Sequence, residues 1–193
     1  MRIWPLLGAV VLTAGCYRSA QLSLQPLFGD EDVVNLPQVV GSWVSEGDKP
    51  EVMTFARQED KLYALSLVDS DGDSHDGLLV AFGRVGDGGP LYWNLTASPR
   101  KDESELWAQH RLPVHSFARV MLKGDRLEVA HFQREWLKAA LADSRVEIAH
   151  AVVDDEVILT ATPAELRQFM REHGGDDGAF DEPQVFHRRP VSE

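Results

Sequence analysis

The chain of 193 residues carries 31 acidic against 19 basic side chains, a formal net charge of -12, and a single cysteine. Such a negative excess argues against nucleic acid or an anionic membrane surface as an electrostatic partner. One cysteine excludes an intrachain disulfide, so apolar burial must hold the fold, and the length suits one domain with its own core.

Residues 1–15 read as a leader: Arg2, an apolar stretch over 3–12, then Thr13, Ala14 and Gly15 directly before Cys16. That stretch is too short to span a bilayer and has the layout of a secretory signal. Ending in Leu12-Thr13-Ala14-Gly15-Cys16, it resembles the lipobox of bacterial lipoproteins, with Thr13 standing where those proteins usually have an aliphatic residue. The resemblance implies that Cys16 is acylated and becomes the new N-terminus. Each buried methylene contributes about 0.8 kcal/mol, so several acyl chains would hold the protein to a membrane without a spanning helix. Tyr17 follows Cys16, where an aspartate would imply retention at the inner membrane, so the resemblance points to the outer membrane of a bacterial envelope. Residues 16–35 are polar and aperiodic and read as a tether, from which Leu22, Leu24, Leu27 and Phe28 can dock on a domain spanning 36–193.

Beyond the tether the turns become regular. Strands are expected over 39–44, 52–57 and 61–68, the last with Tyr63, Leu65 and Leu67 on one face. An acidic loop over 69–77 leads to a strand over 78–85, and Gly86-Asp87-Gly88-Gly89 turns the chain into 91–96. The segment 98–110 reads as a loop or one short helix carrying Leu106 and Trp107. Strands over 114–122 and 127–132 flank Gly124-Asp125, and 133–141 has Trp136, Leu137, Ala140 and Leu141 at helical spacing. A hairpin over 146–153 and 157–161 turns at Asp154-Asp155-Glu156. Thr162-Pro163-Ala164-Glu165 then spells a capping box with proline at the first helical position, and Gly174-Gly175 stops that helix. A last strand covers 184–189.

Short strands joined by hairpins, with helices only as interruptions, predict an all-β antiparallel up-and-down barrel of about 8–10 strands with two or three short helices; closure removes the exposed edges that an open sandwich would keep. Gly41-Ser42-Trp43 on the first strand is similar to the Gly-x-Trp of lipocalins and related calycin barrels. The resemblance implies that Trp43 plugs the closed end and that Arg188 or Arg189, on the last strand, packs across it.

Few constellations point to chemistry. Asp69, Asp71, Asp73 and Asp76 resemble the start of a calcium loop, but Ser74 stands where its sharp-turn glycine belongs and Val80 where its bidentate glutamate belongs, so a solvated hairpin loop is the better account. His131 follows Leu127 and Val129 in one alternating row, and His150 follows Val146 and Ile148 in another. Both are candidates to face the interior, where an imidazole could orient a ligand. Trp107 is a candidate lid residue over an open barrel mouth. No nucleophile elbow, metalloprotease helix, phosphate loop or dinucleotide fingerprint is present, so no enzymatic activity, cofactor or metal is expected.

Two functions follow as expectations. The first is an envelope lipoprotein that binds a small hydrophobic or amphipathic ligand in its barrel, with His131, His150 and Trp107 at the site. The second is a closed barrel that works as a structural or protein-interaction module, its interior filled by residues such as Phe55, Tyr63, Phe82 and Phe117.

Overall fold

The computed structural model of the chain describes residues 20–99 and 103–190. Eight strands form the barrel: β3 (Gly41–Ser45), β4 (Val52–Glu59), β5 (Leu62–Val68), β6 (Ser74–Arg84), β7 (Leu91–Ala97), β8 (His115–Lys123), β9 (Arg126–His131) and β12 (Gln184–Arg188). Each pairs antiparallel with the next, and β12 closes the cylinder by lying between β9 and β3, with Arg188 opposite Trp43 and His187 opposite Arg126. This is an up-and-down meander, consistent with a calycin-like fold.

Alternation decides what fills it. Trp43, Met53, Phe55, Tyr63, Leu65, Val80, Phe82, Trp93, Ala118, Val120, Leu127, Val129 and Phe186 form one buried cluster, contributed by every barrel strand. Aromatic rings interlock at its centre, Phe55 with Phe82 and Trp93, and Tyr63 with Phe82, at centroid distances of 5.6–6.5 Å.

The second core lies outside the cylinder. On β7 five consecutive residues, Leu91 to Leu95, are buried, because the outward row is covered as well as the inward one. Phe117, Ala130 and Phe132 face that outer layer, which α2 (Arg134–Ala142), α3 (Pro163–His173) and the hairpin β10 (His150–Val153) to β11 (Glu156–Leu159) complete. Phe117 therefore does not fill the barrel as expected: Ala118 and Val120 occupy the inward row, which forces their neighbour outward. The capping box forms as the sequence spells it, with Thr162 Oγ1 accepting from the Glu165 amide and Glu165 Oε2 accepting from the Thr162 amide.

From Ala20 onward, the segment read as a tether is part of the fold. β1 (Leu22–Ser23) lies between β11 and β8, and β2 (Val33–Val34) pairs with β6. Leu27 is fully buried and its amide donates to Asn94 Oδ1 at 3.0 Å. Phe28 packs on Gly83, where a Cβ would lie 2.7 Å from the ring, so the missing side chain makes the groove. The apolar residues of this stretch lack a period because they dock on an existing surface instead of forming one face of an element.

Two boundaries also move. β6 starts at Ser74, extending the strand into the expected acidic loop, and the β10 strand starts at His150, leaving Val146 and Ile148 buried in irregular backbone. Among the described residues no helix is long and apolar enough to cross a membrane.

Candidate functional site

At one end of the barrel, Gly41 with φ +122° lets β3 begin beneath Arg188. The guanidinium lies 4.2 Å from the Trp43 ring centroid. Its Nη1 donates to Val40 O at 2.8 Å, its Nη2 to Gln38 O, and its Nε to Asp125 Oδ1 at 3.1 Å. Trp43 is fully buried and donates Nε1 to Val39 O at 2.7 Å. A planar fork is needed to cover an indole and bond several oxygens at once, which a lysine cannot do. Arg189 is exposed, and its backbone amide, donating to Ser42 O at 2.8 Å, extends the β12–β3 pairing. Together these residues close this end of the barrel.

Nearer the other end, His131 occupies the inward row of β9 and is 1% exposed, its ring 5.6 Å from that of Trp93. Burial pulls its pKa down to about 4, so the imidazole is neutral at physiological pH. Its backbone amide donates to Asp181 Oδ1 at 2.6 Å, and the Asp181 amide returns a bond to His131 O. Desolvation pushes the Asp181 carboxyl up to about 6, despite those backbone bonds. Glu51, also in an inward row, is buried; Gln184 Nε2 donates to its Oε2 at 3.0 Å, and its amide donates to Ser45 Oγ at 2.8 Å. Sequence reading missed Glu51 and Asp181. Glu51 shares parity with Met53 and Phe55, a signal that was available; Asp181 lies in a loop and offered none.

His150 is not in the barrel. It opens β10 on the outer hairpin, is exposed, and shares a hydrogen bond of 2.8 Å between Nδ1 and Ile148 O. The inward expectation fails because Val146 and Ile148 bury into the outer core before the strand begins. Trp107 lies on α1 (Glu105–His110), in the connection from β7 to β8, and its side chain is outside the described structure, as is Cys16. In the acidic loop, Asp69 Oδ1 accepts from the amides of Asp71 and Asp73, and its other oxygen meets His75 Nε2 at 2.9 Å. These bonds, that from His75 foremost, hold the Asp69 pKa below the usual carboxylate range. Among the described residues no group of three or more His, Cys, Asp or Glu side chains is placed to hold a metal.

Two hollows mark the outside. One of about 780 Å³ lies where residues 36–38 and the β6–β7 turn meet β8. Another, of about 730 Å³, runs between α2 and the β10–β11 hairpin and includes His150 and Val152. Compared with protein-family models, curated proteins and solved structures, the chain matches none.

Proposed function

We propose that this chain is a lipid-anchored protein of the bacterial envelope, held by acylated Cys16, whose calycin-like barrel works through its outer surface as an interaction module. The observation that carries this reading is the filled interior. Trp43, Phe55, Tyr63, Phe82, Trp93 and Phe186 are each at most 1% exposed and occupy the space in which a lipocalin-like barrel would hold a ligand. The surface supplies a place for a partner. β10 ends the sheet, pairing among the described residues only with β11, and all four of its residues are exposed, with Val152 61% and Val153 52% accessible. A free apolar edge without lysine or proline is the kind of strand to which another chain can add.

The test is site-directed photo-crosslinking in intact cells, with the photoreactive residue at position 152 and a control on the barrel at exposed Glu59. A discrete adduct at 152 that disappears when Val153 is changed to Lys supports the module. Absence of any adduct, or equal labelling at both positions, overturns it. Anchoring is checked separately: mass spectrometry of the mature N-terminal peptide should show acyl chains on Cys16, and Cys16→Ser should move the protein out of the membrane fraction.

A further inference from the structure

We infer that the 780 Å³ hollow at the Trp43 end of the barrel is a binding site for a small amphipathic anion, one with a single phosphate or carboxylate head on a short apolar body. This goes beyond the interaction reading and does not depend on it, because no residue of β10 lines the hollow.

Charge carries the first part of the argument. The chain has 31 acids against 19 bases, yet among the described residues this concave surface is lined by Arg84, Arg119 and Lys123 and by one acid, Glu128. That acid is already engaged, since Arg126 Nε meets Glu128 Oε1 at 2.7 Å. The arginines rest on neutral groups: Arg84 Nη1 donates to Gly89 O at 2.7 Å, and Arg119 Nη1 to Gly174 O at 3.4 Å. Arg119 also lies 4.9 Å from the Phe180 ring centroid, and among the described residues no carboxylate pairs with it. Bonds to carbonyls orient a guanidinium without neutralising it, so its remaining donors suit an anion.

The second part is the rest of the lining. Leu36, Leu91 and Met121 contribute apolar surface, Met121 being 41% exposed. Methionine adapts its shape to irregular apolar groups. A volume of 780 Å³ lies within the range of small-molecule sites and far exceeds what an inorganic ion needs. Cationic and apolar side chains lining one hollow match a head and a body on one molecule.

The test is calorimetric titration of the full chain carrying Cys16→Ser with three probes: decyl phosphate, decanoate and decanol. Both anions, or one of them, should bind at one site at least about tenfold more tightly than decanol, and the preference between them names the head. Arg84→Gln with Lys123→Gln should weaken the anions about tenfold or more with an unchanged thermal midpoint, and Met121→Glu should abolish binding by adding a charge to the apolar floor. Equal affinity for decanol, indifference to the double substitution, or no heat with either anion overturns the assignment.

Discussion

Arg188 lies over Trp43, 4.2 Å from its ring centroid, across the first and last strands of the cylinder, and the same side chain ties residues 38 and 40 to Asp125. One guanidinium thus fastens the closing strand, the opening strand and the turn between β8 and β9. Its removal should loosen all three. Arg188→Ala is expected to cost about 2 kcal/mol, from lost charge-assisted hydrogen bonds and lost cation–π contact. Arg188→Lys should recover less than half of that, because it restores charge without the fork. Urea midpoints of the two variants check the order.

Gly41 is coupled to the same feature. A Cβ there would lie 2.9 Å from Arg188 Nη1, on a backbone with φ +122° that other residues rarely adopt. Gly41→Ala should destabilise by about 1–3 kcal/mol. The contact part of that cost, and not the backbone part, should vanish when Arg188→Ala is already present, so in a double-mutant cycle the double variant is expected to lose less stability than the sum of the two single ones. Strict additivity would place the whole penalty in the backbone.

The filled interior makes its own prediction. Phe55 is 1% exposed and packs on Phe82 and Trp93. Phe55→Ala should cost about 3–5 kcal/mol, as truncation in a rigid core does. A cost below about 1 kcal/mol would indicate an interior loose enough to accept a guest, and would undermine the outward-acting reading.

At the tip of the outer hairpin, Asp154 and Asp155 both have positive φ, 49° and 65°, as a two-residue type I′ turn requires. An asparagine followed by a glycine meets that requirement with less strain. Asp154→Asn combined with Asp155→Gly in one variant should therefore raise stability by about 1 kcal/mol, read from the thermal midpoint. A fall would show that the two carboxylates contribute something beyond the turn.

These particulars show how far residues alone can be read. Trp43 was legible from a short motif, and the resemblance that motif carries implied Arg188 or Arg189 as its partner, of which the structure selects Arg188. The helix at Pro163 was legible because Thr162 and Glu165 satisfy its first amides locally. What escaped depends on contacts distant in sequence. Leu27 and Phe28 were expected to dock, but not where, because nothing nearby tells that Asn94 and Gly83 wait to receive them. Phe117 misleads because both rows of its strand are apolar once a second layer covers the barrel. His150 follows the parity of a strand that has not yet begun, and Asp181 acquires its character only from being desolvated beside β9.

His131 and Asp181 should give stability an unusual dependence on pH, since their shifts oppose each other. The folded-state pKa of His131 is depressed to about 4, below its ordinary value of 6.5, so below pH 6.5 the unfolded chain takes up a proton that the folded one resists. That contribution is complete above pH 6.5 and is lost as the pH falls towards 4, by about 3 kcal/mol in all. Asp181, raised to about 6 from 3.8, works the other way. Between those values the folded chain holds the proton more tightly, so this residue adds stability as the pH falls from 6 to 4 and burdens the fold when ionised above 6. Asp181→Asn keeps an oxygen to accept from the His131 amide while removing the charge. It should be more stable than the parent at about pH 7.5, indistinguishable from it near pH 3.5, and should lose stability more steeply between about 6.5 and 4. His131→Gln should show the reverse, gaining on the parent as the solution is acidified. Urea midpoints at about pH 3.5, 5, 6 and 7.5 distinguish the cases, and parallel curves for all three proteins would refute both assignments.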